Sequence, residues 1–142
     1  MLRSAAFYDS SVLVPLCVPQ LFSPRSLSLW SRYRAVVWWA TQVEVASALA
    51  RLLRRREISA DAHSLAHRQA KLLAEAWRVV EPTGGVASGA CYILERYPLR
   101  AADALQLAAA LAWCEGKAQG NVFLTFDERL KEAAIAVGFT VE

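Results

Sequence analysis

Short apolar segments alternate with helical segments along this chain of 142 residues, and the alternation is the feature that most constrains its fold. Five segments are predicted to be strands because they are short, apolar and bounded by polar or turn-forming residues. They cover residues 5–8, 35–39, 78–80, 121–125 and 139–141. Helical segments lie between them, and strands joined through helices pair in parallel. We therefore expect an α/β fold with a central, mostly parallel five-stranded sheet flanked by helices on both faces.

The segments between these strands carry helical patterns. A helix is expected from about residue 12, and Pro15 should lie in its first turn, where a missing N–H is tolerated. Thr41 and Glu44 match the capping-box pattern at the start of another helix. Two glycines, Gly84 and Gly85, are expected to form a turn. The remaining helices are predicted over residues 26–33, 41–56, 59–77, 86–96 and 99–111, and from Asp127 to near Gly138, with a loop over 19–24.

The composition is that of one globular domain over residues 1–142, with 56% hydrophobic and 20% charged residues. The net charge of +3 allows a nucleic-acid partner without requiring one. No uninterrupted apolar run is long enough for a membrane span, and Asp9 interrupts the apolar N-terminal segment, so neither a membrane anchor nor a signal peptide is expected. Cys17, Cys91 and Cys114 lack zinc or redox spacing, and we interpret them as buried thiols of a cytoplasmic protein.

Four acidic residues each lie just after a predicted strand or at the start of a helix. Asp9 follows the first strand, Glu44 lies in the first helical turn after the second, and Asp127 follows the fourth. Asp103 lies in the first turn of the Ala- and Leu-rich helix 99–111. Segments that leave the carboxyl ends of parallel strands meet at one edge of the sheet. We therefore expect three of the acids at one rim, where Asp103 can join them.

Each acid also has a purely structural interpretation. Asp127 could be a helix N-cap, Asp9 an Asx-turn residue, and Asp103 a favoured first-turn carboxylate. Glu44 could simply pair with Thr41 in the capping box. The placement of all four at one edge favours a functional interpretation.

A cluster of carboxylates must hold either protons or a cation. Two unit charges about 5 Å apart repel each other by roughly 3 kcal/mol at an effective dielectric constant near 20. Hard oxygen ligands without a Cys or His set favour Mg²⁺ or Mn²⁺ over zinc. Such an ion could activate water for the hydrolysis of a phosphodiester bond.

The segments that contain these acids closely resemble those of PIN-domain nucleases, and most of all the VapC-type toxins of type II toxin–antitoxin systems. The resemblance rests on residues 8–11, 42–49, 99–108 and 124–127. It implies a PIN-like three-layer sandwich and a Mg²⁺/Mn²⁺-dependent endoribonuclease that acts on RNA, forms a homodimer and is neutralised by a small antitoxin protein. It also implies that the metal and catalytic residues are Asp9, Glu44, Asp103 and Asp127, with hydroxyl groups supporting them at Ser10 or Ser11 and at Thr125.

Basic residues near these segments could bind RNA. Arg51, Arg54 and Arg55 cluster near the end of the helix that contains Glu44 and could track phosphates. The alternative is a solvated helix face with cations at the helix C-terminus. Arg100 lies three residues before Asp103 and could orient that carboxylate or contact a phosphate.

Two other functions remain open from the sequence. A phosphohydrolase of the haloacid dehalogenase type also has an aspartate after its first strand, but it requires a second aspartate two residues later, where this chain has Ser11. A nuclease-inactive binding module with the PIN fold would be indicated by a missing acid, and all four acids are present.

Overall fold

A single parallel sheet organises the structure, a computed structural model that describes residues 2–142. Its strands are β1 (Ala5–Tyr8), β2 (Arg34–Trp38), β3 (Arg78–Val80), β4 (Val122–Leu124) and β5 (Thr140–Val141). Their order across the sheet is β3-β2-β1-β4-β5, and every neighbouring pair is parallel. The predicted five-stranded α/β sheet is thus confirmed.

Helices cover both faces of the sheet. They are α1 (Ser10–Cys17), α2 (Ser23–Arg32), α3 (Thr41–Arg54), α4 (Ala60–Ala76), α5 (Gly84–Leu94), α6 (Ala101–Trp113) and α7 (Glu128–Ala136). Because side chains alternate along a strand, Phe7 packs into the core beneath α5, α6 and α7, whereas Tyr8 packs into the core beneath α1, α2 and α3. The sheet is therefore buried on both faces, as its apolar strands predict.

The strand order reverses at β1. The chain passes from β1 to β2 and β3 on one side and then crosses to β4 and β5 on the other. At such a switch point the connections leave in opposite directions and open a crevice beyond the carboxyl ends of the strands. The backbone N–H of Asp9 donates to Leu124 O at 2.9 Å, so β1 and β4 stay paired up to the edge of this crevice.

The boundaries of several helices differ from those predicted. Helix α1 begins at Ser10, so Pro15 lies in its second turn, and the prediction of a first-turn proline is wrong. Pro15 is buried there, so packing offsets the helical hydrogen bond that its ring cannot donate. Helix α2 begins at Ser23, within the predicted loop 19–24, which puts Pro24 in a first turn where proline is well tolerated.

The start of α5 also lies earlier than predicted. The glycines at 84 and 85 are helical and do not form a separate turn, because Thr83 Oγ1 accepts a hydrogen bond from Val86 N at 3.3 Å and caps the helix. Helix α4 begins after Ser59, as predicted, with Ser59 Oγ accepting from Ala62 N at 3.1 Å.

All three cysteines are free thiols, but Cys17 and Cys114 are only partly buried and Cys91 is exposed, so the expectation of three buried thiols is wrong. Within residues 2–142, no helix combines the length and the apolar character that a membrane span requires.

Candidate active site

A cleft of about 780 Å³ opens at the carboxyl edge of the sheet. Asp9, Glu44, Asp103 and Asp127 all line it. They come from the end of β1, the first turn of α3, the first turn of α6 and the start of α7. The structure therefore brings together the four acids that the sequence singled out, from segments far apart in the chain.

Asp9 is the most buried of these acids, with 4% of its surface exposed. Its Oδ2 accepts hydrogen bonds from Ser11 Oγ at 2.7 Å and from Thr125 Oγ1 at 2.9 Å. Burial raises the pKa of Asp9, and the hydroxyl donors lower it in part. The carboxylate is thus fixed by groups from both α1 and the end of β4, which goes beyond a local Asx turn.

Glu44 is half-buried and is held from two sides. Its Oε1 accepts from Ser10 Oγ at 3.2 Å, and its Oε2 accepts from Gln106 Nε2 at 3.0 Å. Burial, together with the negative charge of Asp9, raises the pKa of Glu44 to about 7. A proton or a cation is therefore needed near neutral pH to offset the burial of Glu44 and its repulsion by Asp9.

The predicted capping box of Thr41 and Glu44 is wrong. Ala40 occupies the N-cap position of α3, and Thr41 is its first helical residue. The Thr41 side chain is fully buried and accepts from Gln106 Nε2 at 3.1 Å. Thr41 therefore contacts α6 instead of capping α3, and Glu44 lines the cleft.

Asp103 lies in the first turn of α6, as predicted. Burial raises its pKa, and the charges of Asp127 and Asp9 raise it further, whereas Arg100 lowers it. Arg100 occupies the N-cap position of α6 and also lines the cleft. A favourable helix-start position and a place in the acidic cleft thus coexist at Asp103.

Asp127, like Asp103, has both a structural place at a helix start and a place in the cleft. Its Oδ1 accepts from Leu130 N at 2.8 Å and so caps α7, while its carboxylate lines the cleft. Its backbone N–H donates to Thr125 Oγ1 at 3.0 Å. Because Thr125 also donates to Asp9, one buried hydroxyl connects the two acids.

The predicted basic residues separate into two groups. Arg51 and Arg100 line the cleft, whereas Arg54 and Arg55 lie at the exposed end of α3, away from its lining. The sequence interpretation missed Arg129 on α7, which also lines the cleft. A basic residue in the first turn after Asp127 was the available signal.

Gln106 was missed as well. It is fully buried in α6 and contacts Glu44 and Thr41 across the helix interface. The available signal was a polar residue three positions after Asp103 in a run of Ala and Leu, since residues three apart share one side of a helix.

The donor set suits a hard divalent cation, since four carboxylates supply only oxygen ligands to the cleft. Within the described range 2–142, however, no three His, Cys, Asp or Glu side chains converge closely enough to form a preassembled metal group. Carboxylates without a bound cation repel one another, which favours wider spacing. Mg²⁺ also retains several of its waters when bound, so the protein need not supply all of its ligands. The four-acid metal site stays a prediction.

Comparison with known proteins places this geometry in a family. The PIN domain family model matches residues 6–136. Ribonuclease VapC45 of Mycobacterium tuberculosis (strain CDC 1551 / Oshkosh) is 31% identical over 136 residues, covering 95% of this chain and 92% of the relative.

Solved structures share the fold. The crystal structure of Mycobacterium tuberculosis VapC20, described as a sarcin–ricin loop cleaving toxin, has a TM-score of 0.67 and 19% identity, covering 96% of this chain and 97% of that one. A toxin–antitoxin complex from Klebsiella pneumoniae has a TM-score of 0.67 and 15% identity over the same shares of the two chains. The five-stranded parallel sheet, the acidic cleft at its switch point and the match over residues 6–136 together establish that this chain belongs to the PIN domain family.

Proposed function

We propose that this protein is a divalent-metal-dependent endoribonuclease that hydrolyses RNA phosphodiester bonds and acts as the toxin of a toxin–antitoxin pair. The observation that carries the proposal is the convergence of four carboxylates from four separate segments on one cleft. The name of the 31% identical relative, a ribonuclease, supports the choice of RNA as substrate. The whole chain, residues 1–142, would form the single nuclease domain.

In this proposal Asp9, Glu44, Asp103 and Asp127 hold Mg²⁺ or Mn²⁺. A divalent cation bound there supplies Lewis-acid stabilisation of the phosphodiester group and lowers the pKa of water. The chain itself contributes orientation. Ser11 and Thr125 hold the carboxylate of Asp9, and Ser10 holds that of Glu44.

Three arginines would bind the phosphates of the RNA. Arg51, Arg100 and Arg129 come from α3, the start of α6 and α7, and all three line the acidic cleft. Across residues 2–142 none of them forms an ion pair with the four acids, so their guanidinium groups are available to phosphate oxygens. Arg54 and Arg55, exposed at the end of α3, would contact more distant phosphates.

The alternatives fit the site less well. Ser11 occupies the position of the second aspartate of a haloacid-dehalogenase-like phosphohydrolase, and its hydroxyl donates to Asp9 as a supporting group. A nuclease-inactive binding module would not need four mutually repelling carboxylates around one cleft.

The partners in this proposal are a small antitoxin that covers the cleft and a second copy of the chain. Support for the antitoxin comes from the fold neighbour solved as a toxin–antitoxin complex. The homodimer rests on the family resemblance and on the exposed apolar side chains that the surface carries, among them Leu27, Leu65 and Leu72.

The test is RNA cleavage by the purified protein in millimolar Mg²⁺. Transfer RNA, ribosomal RNA and a sarcin–ricin loop oligonucleotide form the substrate panel, and the protein carrying Asp9→Asn is the matched control. We expect discrete cleavage products from the wild type and none from the variant. Equal cleavage by both proteins would indicate a contaminating nuclease, and intact RNA throughout the panel would contradict the proposed activity.

A further inference from the structure

Gln106 forms an unusual buried connection between two helices. It is fully buried on α6, and its Nε2 donates to Glu44 Oε2 at 3.0 Å and to Thr41 Oγ1 at 3.1 Å. Both acceptors lie in the first turn of α3. Both hydrogen bonds of the Gln106 amide nitrogen therefore go to the first turn of α3.

The other end of the same side chain is unsatisfied. Gln106 Oε1 is buried and has no hydrogen-bond partner among residues 2–142. A buried acceptor without a partner destabilises a fold. Packing alone therefore does not explain a glutamine at this position.

Gln106 connects Glu44 to the helix that carries Asp103. It lies one helical turn after Asp103, on the same side of α6. Through its amide it contacts Glu44, whose other oxygen accepts from Ser10. The carboxylate of Glu44 is therefore held between α1 and α6, and α6 also carries Asp103.

We propose that Gln106 is a positioning residue that holds Glu44 at a fixed place relative to Asp103, in the arrangement that binds a divalent cation. This inference rests on the proposed metal-dependent function. The glutamine acts through Glu44 and does not contact the reacting groups. Its unsatisfied Oε1 is a stability cost that the fold carries in return for a preorganised carboxylate.

The test is a double-mutant cycle on metal affinity, measured by titrating Mn²⁺ into the purified protein by calorimetry. We expect Gln106→Leu to weaken Mn²⁺ binding by about tenfold or more, as losses of supporting partners do elsewhere. In a Glu44→Gln background the same change should have little further effect, because the residue that it positions no longer carries charge. Thermal unfolding in chelator should show that Gln106→Leu still folds cooperatively, because the change removes the unsatisfied Oε1 along with the donor to Thr41 and Glu44.

Ser26→Ala is the matched control, because Ser26 Oγ is also buried without a partner in the described part of the chain but lies on α2, outside the lining of the cleft. It should not change Mn²⁺ affinity. Gln106→Met serves as a second variant if the leucine variant does not fold. Wild-type Mn²⁺ affinity in either folded glutamine variant, or equal losses in the wild-type and Glu44→Gln backgrounds, would overturn the inference. Failure of the wild type to bind Mn²⁺ would instead contradict the proposed function, and the inference with it.

Discussion

Hydroxyl groups stabilise the most buried acid of the cleft. Asp9 receives its close side-chain hydrogen bonds from Ser11 and Thr125, and Thr125 also accepts the backbone N–H of Asp127. Hydrogen bonds to an ionised carboxylate are stronger than those between neutral groups, yet they leave its negative charge in place. The arrangement orients Asp9 and preserves its attraction for a cation.

The carboxylate of Asp103 should matter for metal binding and not for the metal-free fold. Asn keeps its shape and is also tolerated at a helix start, and it removes one member of a repelling cluster. In chelator we expect Asp103→Asn to unfold no lower than the wild type, with a gain of about 1 kcal/mol at most after solvent screening. In millimolar Mg²⁺ the melting temperature of the wild type should rise more, because a ligand stabilises in proportion to its occupancy.

Thermal unfolding of both proteins in the two buffers provides the check. A variant that melts well below the wild type in chelator would identify Asp103 as a structural helix-start residue. Equal Mg²⁺-induced shifts would remove Asp103 from the metal site.

Glu44 should make the stability of the metal-free protein depend on pH. Its pKa is raised to about 7 in the fold, from an ordinary value of 4.5. A raised carboxyl pKa means that the folded state binds the proton more tightly, so this stabilisation is fully present below about pH 4.5 and is lost as the pH rises through about 7. The raised pKa values of Asp9 and Asp103 act in the same direction.

Urea unfolding in chelator between about pH 5 and pH 7 measures this effect. The free energy of unfolding should fall by roughly 1–2 kcal/mol across that range, after allowance for the solvent exposure of Glu44. Glu44→Gln should flatten the profile. Stability that rises over the same interval in the wild type, or an unchanged slope in the variant, would contradict the description of this carboxyl group.

At the scale of elements, Asp127 should serve both α7 and the cleft. Removal of its cap by Asp127→Ala should cost about 1 kcal/mol of stability, whereas Asp127→Asn should keep most of the cap. Both changes should abolish RNA cleavage. Ser59→Ala, which removes the cap of α4 outside the lining of the cleft, should cost a similar amount and leave cleavage intact. Denaturant unfolding and cleavage assays separate the two effects, and an active Asp127→Asn enzyme would leave Asp127 with the capping role alone.

The existence and type of the elements could be predicted from the sequence, but several of their starts could not. Strands such as β1 and β3 follow directly from short, mostly apolar runs, and both have the predicted bounds. Helix starts depend on single hydrogen bonds that periodicity does not reveal, such as that of Thr83 at α5. At Thr41 the capping pattern was present, but the tertiary contact with Gln106 replaced it.

The same distinction applies to the candidate site. The four acids could be gathered from the sequence because each adjoins a strand end or a helix start, and parallel topology sends those places to one edge. Gln106 could not, because its role depends on how α6 packs against α3. Such a contact is a property of the packed helices and leaves only a lone polar residue in the sequence.

At the scale of the whole molecule, the cleft depends on the complete sheet. Asp9 and Thr125 are hydrogen-bonded although they are 116 positions apart, because β1 and β4 are neighbours at the switch point. The PIN domain match covers residues 6–136, from β1 to the end of α7. A deletion that removed β1 or α7 would therefore remove part of the cleft.

The assembly should follow the proposed toxin function. We expect a homodimer in solution and an antitoxin that inhibits cleavage by covering the acidic cleft. Light scattering at micromolar concentration measures the first, and a clean monomer would contradict it. Cleavage measured with and without the antitoxin tests the second, and an antitoxin that binds without inhibiting would not be covering the cleft.

One assay of the wild-type protein shows whether the four carboxylates form a divalent-cation-dependent centre for RNA cleavage. Cleavage of a single RNA substrate is followed in excess chelator and again after Mg²⁺ or Mn²⁺ is restored above the chelator concentration. We expect no cleavage in chelator and recovery with either ion. Full activity in excess chelator would show that cleavage does not depend on a divalent cation at this site.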